Sequence, residues 1–149
     1  MIKTLSTFFY LGYLPFIPGT FASIAGILLI YLFKDNSFLY ILFTALLIIL
    51  GFFISGKAEK IFNRKDAKFI VIDEVSGMLL AFLFIPYDIK LIVMGFILFR
   101  IIDAFKAYPS DRLQRLAGSI GIMSDDIVAG LYTNIILQVV SRLVSLRAS

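Results

Sequence analysis

Neither cysteine nor histidine occurs among the 149 residues, and tryptophan is absent too. Without cysteine there is no disulfide, no zinc–thiolate site and no thiol nucleophile. Without histidine the commonest general base is missing, and phosphohistidine chemistry with it. Charge is scarce: 16% of residues are charged and 60% are hydrophobic, against roughly a quarter and a half in a soluble domain. Catalysis in such a chain falls to Asp, Glu, Arg, Lys, Ser, Thr, Tyr or a metal held by oxygen. The net charge of +4 is modest. The aromatics are mostly Phe inside apolar runs rather than on a basic, solvated face, so no nucleic-acid partner is expected. The length suits one domain over 1–149.

What is present is a series of apolar runs with a few charges at their ends. Thr4 to Phe33 has no charged residue, but Gly12, Pro15, Pro18 and Gly19 interrupt it. This predicts a short interfacial or re-entrant piece, a turn through Pro15–Gly19, and a helix from about Thr20 to Phe33. Lys3 before an apolar run also resembles a signal peptide; the early break and the lack of an A-x-A site favour a retained segment. Asn36 to Gly56 is an uncharged run of 21 residues, long enough to cross a bilayer core. A basic helix extension and polar loop follow over 57–68. The run after Val71 reaches Pro86, and helical character resumes from Ile89 to Phe105, which reads as a hairpin of helices. Pro109 to Ser119 is polar, a short helix and loop. Asp125 and Asp126 then open a last helix from Ile127 to about Leu146. The fold class is all-α: a compact helical integral membrane protein of about four to six helices with that N-terminal piece.

Five of the ten acidic residues, Asp73, Glu74, Asp103, Asp125 and Asp126, sit beside apolar segments. Charges in such places are costly and usually functional. Arg100, Asp103 and Lys106 recur every three residues and share one broad helix face. In an antiparallel hairpin, Asp73 lies ~20 Å from the turn at Pro86, and Arg100 and Asp103 lie ~18–22 Å beyond it, so the groups meet at one end. Asp73 precedes Gly77 by four residues and Asp126 precedes Gly130 by four; small residues one turn below each acid allow close helix approach. The acidic end (Lys3, 57–74, 100–126) carries ten Lys and Arg, and the other end (Lys34, Lys90, Arg142, Arg147) four. The acidic end is therefore expected to face the cytoplasm.

Carboxylates from three segments with one Arg and one Lys suit Mg²⁺ or Mn²⁺ rather than zinc. Such a set recurs where a phosphoryl group is stabilised. Thr20 and Ser23, after Pro18–Gly19, read either as plain helix capping or as a helix N-terminus aimed at an anion. Buried Arg–Asp pairs are more often structural than catalytic, and Lys106 also fits a snorkelling interfacial residue. Two rivals follow: a small membrane transporter or ion-binding subunit using the same acids, and an assembly protein whose charges lock helices. There is no D-x-D and no P-loop.

The chain resembles the phosphatidylglycerophosphatase A family of bacteria. The family's G-x-x-P-x-x-P-G-T-x-G-S, D-E-x-x-G, F-R-x-x-D-x-x-K-P-x-P and G-G-x-G-I-M-x-D-D-x-x-A-G elements correspond, in order, to Gly12–Ser23, Asp73–Gly77, Phe99–Pro109 and Ala117–Gly130. Ala22 and Ala107 depart from a family glycine and proline, and Ala117 and Ser119 flank a single glycine. No ionisable position is lost. The resemblance implies Mg²⁺-dependent removal of the terminal phosphate of phosphatidylglycerophosphate, giving phosphatidylglycerol. Phosphatidylglycerophosphate and membrane lipids are the implied partners; oligomeric state stays open. On this reading Asp73, Asp125 and Asp126 ligand the metal, Glu74 ligands it or positions water, and Asp103 is a ligand or general base. Arg100 and Lys106 clamp phosphate, aided by Gly19, Thr20 and Ser23. Attack by water and passage through a phospho-aspartate both remain open.

Overall fold

Local signals set most of the helix boundaries. Asn36 caps the longest apolar run, its Oδ1 accepting the Leu39 N–H at 3.0 Å, and Asn63 ends it in the left-handed conformation. Asp88 caps the later apolar helix by accepting from the N–H groups of Lys90 and Leu91. Pro18 stands at the first helical position of its helix, where a missing N–H costs nothing. In this computed structural model the helices are α1 (Ile2–Ser6), α2 (Pro18–Phe33), α3 (Ser37–Phe62), α4 (Ile72–Ala81), α5 (Ile89–Phe105), α6 (Ser110–Leu113) and α7 (Ser119–Ala148), with a 3₁₀ turn at Leu11–Tyr13. The structure describes residues 1–64, 67–106, 108–113, 116 and 118–148, and only the backbone of 110, 111 and 144–148. Lys65, Ala107, Arg115 and Ala117, on which parts of the sequence reading fall, lie outside the described residues, as does the side chain of Arg147. Five helices reach ten residues or more and no strand occurs among the described residues, so the all-α expectation holds.

The core is built around two helices. α4 packs on α2, α3, α5 and α7, and α7 packs on α3, α4, α5 and α6. Ile72, Val75, Met78 and Leu79 of α4 are sealed from solvent, as are Met123 and Leu137 of α7. α4 and α7 cross closely because both carry glycine at the contact. A Cβ on Gly77 would stand 2.5 Å from the Asp126 carbonyl oxygen, and one on Gly130 would overlap the Gly77 carbonyl. The two glycines placed one turn below Asp73 and Asp126 are thus the contact that joins those helices.

Three expectations are corrected. The apolar run from Val71 does not stay helical to Pro86. α4 stops at Ala81, and Asn134 of α7 donates to the carbonyls of Leu80, Ala81 and Leu83 at 3.3, 3.0 and 2.8 Å, satisfying the orphan acceptors of a helix end. The main partner of α4 is therefore α7 rather than α5. Nor do Asp125 and Asp126 open the last helix: α7 begins at Ser119, leaving both acids nearly two turns inside it. Likewise α2 starts at Pro18, so Thr20 is its third residue and not its cap.

α3 (Ser37–Phe62) and the Ser119–Leu143 part of α7 are long and apolar enough to cross a bilayer. Only 22% of the most apolar window of α3 is buried within the molecule, while Phe38, Leu42, Leu46, Ile49 and Phe53 face outward. A soluble protein's core helix would be mostly buried; an apolar helix uncovered along its length belongs in lipid. Aromatic and basic side chains gather at both ends. Tyr13 stacks on Phe69 at 4.9 Å, beside Phe62 and Lys3, and at the far end Lys34 lies 4.4 Å from the Tyr31 ring and 5.3 Å from that of Tyr87. Such residues anchor a protein at the two membrane–water interfaces.

Candidate active site

Four segments meet at one end of the bundle. The first turn of α4 brings Asp73 and Glu74, the end of α5 brings Arg100, Asp103 and Lys106, α7 brings Asp125 and Asp126, and the first turn of α2 brings Gly19. The α4–α7 crossing at Gly77 and Gly130 sets the separation of the acids one turn away. Gly19 lies close against two charged groups: a Cβ there would overlap Glu74 Oε1 and stand 3.3 Å from Arg100 Nη1, so a larger residue must shift one of those side chains.

The carboxylates form two overlapping triads. Asp73, Glu74 and Asp126 each offer an oxygen, all within 4.8 Å of one another, and so do Asp103, Asp125 and Asp126. The two cations hold the outer acids. Arg100 Nη1 lies 3.0 Å from Asp103 Oδ2, an ion pair by distance in which the N–H is not aligned on that oxygen. Lys106 Nζ donates to Asp125 Oδ2 at 3.2 Å; Lys106 ends α5 in the left-handed conformation, φ 46°, which turns the chain back toward α7. The Asp126 N–H donates to Asp125 Oδ1 at 3.2 Å.

Donors do not cover the inner acids. Asp73 Oδ1, Glu74 Oε2 and Asp126 Oδ1 are buried with no hydrogen-bond partner. Unpaired buried carboxylate oxygens are expensive, and a cation held among these three would offset that cost. Burial pushes the Glu74 carboxyl up to about 7; Asp103 adds to the shift, while its hydrogen bond with Asp73 and the Arg100 charge oppose it. Burial, then the charges of Glu74 and Asp126, hold Asp73 well above the usual carboxylate range. A hard divalent cation favours oxygen ligands of this kind and would reverse both shifts.

All seven charged residues singled out in the sequence therefore come together, and Gly19 joins them. Thr20 is half-buried in the first turn of α2. The Ser23 hydroxyl is buried and donates to the Gly19 carbonyl at 2.9 Å, bracing the turn that carries Gly19. The sequence treats Asp125 and Asp126 as equivalent neighbours. About 100° of helix rotation separates them: Asp125 pairs with Lys106, whereas Asp126 belongs to both triads. Asn134, which ends α4 at the right depth, carries no signal beyond being one more polar residue in an apolar helix.

The family model described as Phosphatidylglycerophosphatase A matches residues 4–141. A protein of Escherichia coli named Phosphatidylglycerophosphatase A is 37% identical over 123 residues, covering 80% of this chain and 72% of its own. One of Haemophilus influenzae with the same name is 33% identical over 124 residues, covering 80% and 76%. A Bacteroides thetaiotaomicron protein with the provisional name phosphatidylinositol-3-phosphatase is 32% identical over 146 residues, covering 91% and 90%. No solved structure matches the chain.

Proposed function

The chain belongs to the phosphatidylglycerophosphatase A family, a family of lipid phosphatases, and on that premise we propose that it removes the terminal phosphate of phosphatidylglycerophosphate in a reaction that depends on Mg²⁺. The observation that carries the reading is the gathering of five carboxylates, Arg100 and Lys106 at one end of a lipid-exposed bundle. Acids gathered at one end suit an interfacial enzyme. A transporter would hold them at mid-helix with access from both sides.

Asp73, Glu74, Asp103, Asp125 and Asp126 would hold the cation, and the unpaired oxygens of Asp73, Glu74 and Asp126 fit that role. A bound divalent cation supplies charge stabilisation as negative charge builds on the phosphoryl oxygens. Arg100 and Lys106 bind those oxygens and orient the phosphorus. Gly19 lets the α2 N-terminus, with its positive dipole end, approach the same place. Asp103 keeps 18% of its side chain exposed, so water reaches it; one of its oxygens would ligand the cation and the other would take the proton of an attacking water. The phosphorus–oxygen bond to the glycerol breaks, and the departing glycerol oxygen takes up a proton from solvent water while Asp103 returns its own proton to solvent. The acyl chains lie against the apolar helices. The acidic, Lys/Arg-rich end faces the cytoplasm of a multi-pass protein in the bacterial inner membrane.

Phosphate release from phosphatidylglycerophosphate in mixed micelles tests this, with Mg²⁺ or with a chelator. Release that needs Mg²⁺ and is lost in Asp103→Asn is expected. Mg²⁺-independent release overturns the metal dependence. Preferential release from phosphatidylinositol 3-phosphate, the activity in the name of the Bacteroides relative, overturns the substrate. A labelled acyl-phosphate trapped during turnover overturns direct attack by water.

A further inference from the structure

We propose that this site holds two divalent cations at once, with the Asp126 carboxylate shared between them. The proposal rests on reading the cluster as a cation-dependent phosphatase site, and it adds the number of ions and the place of one residue. The five carboxylates do not form one group at close spacing. They form two groups of three, Asp73–Glu74–Asp126 and Asp103–Asp125–Asp126, each with its oxygens within 4.8 Å. Ligand atoms on one Mg²⁺, at about 2.0–2.1 Å from it, stand at most ~4.2 Å apart, so each triad would close around its own ion by adjustment of its side chains.

Asp126 is the member common to both triads. It is 3% exposed, and its Oδ1 has no hydrogen-bond partner. Asp73, in the first triad, is 5% exposed and also has an unpartnered Oδ1. A carboxylate with two oxygens can give one to each of two ions, and paired ions in such sites stand about 3.5–4 Å apart.

Charge argues for the second ion. Five carboxylates against one guanidinium and one ammonium leave the cluster at a formal charge of minus three. One divalent cation leaves it negative, which would repel a phosphate monoester. A second turns it positive, and the anion is then attracted. Arg100 and Lys106 do not fill this need alone, because each already lies against an acid of the second triad.

The test uses the full chain in detergent, stripped of metal and titrated with Mn²⁺. Bound metal is measured by equilibrium dialysis and its environment by electron paramagnetic resonance. The wild type is expected to saturate at two Mn²⁺ per chain, with a spectrum broadened by coupling between neighbouring ions. Glu74→Gln and Asp103→Asn, each removing an outer ligand of one triad, are expected to bind one Mn²⁺ with an uncoupled six-line signal. Asp126→Asn is expected to lose the coupled signal altogether. Saturation of the wild type at one uncoupled ion overturns the proposal without any variant having to fold. Two Mn²⁺ without coupling overturns the sharing of Asp126. The lipid phosphatase assay on the same preparation separates the two readings. One ion with Mg²⁺-dependent phosphate release removes only the second ion. Two coupled ions without release from any phospholipid remove only the assigned reaction.

Discussion

At the residue scale the site depends on small distances around Gly19 and Glu74. A methyl group on Gly19 lands on Glu74 Oε1 and crowds Arg100, so Gly19→Ala must displace a carboxylate, a guanidinium or the start of α2. Misplacement by about 1 Å costs on the order of 10²-fold in rate. Gly19→Ala is therefore expected to lose about 10–100-fold in kcat/KM with its thermal melt nearly unchanged, measured by phosphate release and by circular dichroism. Glu74 gives a second prediction. In chelated protein its carboxyl is held up to about 7, from an ordinary value of 4.5. The folded state then keeps a proton that the unfolded chain releases. Its contribution to stability is complete below about pH 4.5 and is lost as pH rises through 7, and Asp73 shifts the same way. The melting temperature of chelated protein is expected to fall between pH 5 and pH 8, and Mg²⁺ is expected to restore it most at the alkaline end. A chelated melt that rises with pH would contradict this.

At the scale of elements, the crossing of α4 and α7 does two jobs that substitutions can separate. Gly130 lets the helices approach at the level that brings Asp73 and Asp126 together. Asn134 closes the other end of α4 by donating to three carbonyls. Gly130→Val forces the helices apart, at a cost of about 1–3 kcal/mol for overpacking, and is expected to abolish Mg²⁺-dependent activity even below its melting temperature. Asn134→Leu leaves carbonyls unpaired, at a cost of about 1–3 kcal/mol, and is expected to lower the melt while folded molecules keep most of their activity. Equal loss of activity in both variants at low temperature would contradict this division. The two glycines are legible in the sequence as spacing, four residues after each acid. The cap is not, because Asn134 lies more than fifty residues from the carbonyls it meets.

For the whole molecule, the exposed apolar face of α3 and the aromatic and basic residues at both ends fit a membrane protein. The excess of Lys and Arg at the acidic end argues for a cytoplasmic site. The lack of cysteine makes this easy to examine. Asp35→Cys, between α2 and α3, is expected to react with an impermeant maleimide added outside intact spheroplasts. Lys68→Cys, between α3 and α4, is expected to react only after the membrane is opened. The reverse pattern would invert the topology.

Residue inventory and periodicity alone determined the helical class, the long apolar span of α3, the lack of any thiol or imidazole group, and the shared helix face of Arg100 and Asp103. Those follow from the chain itself, because an uncharged run of a given length and a charge every third residue mean the same thing wherever they pack. Tertiary structure alone decided that α4 stops at Ala81, that α7 starts before its acids, and that Asp126 stands between two groups of carboxylates while Asp125 turns to Lys106. The end of α4 is fixed by a side-chain cap from more than fifty residues away, and the different partners of Asp125 and Asp126 depend on which distant segments meet each side of α7.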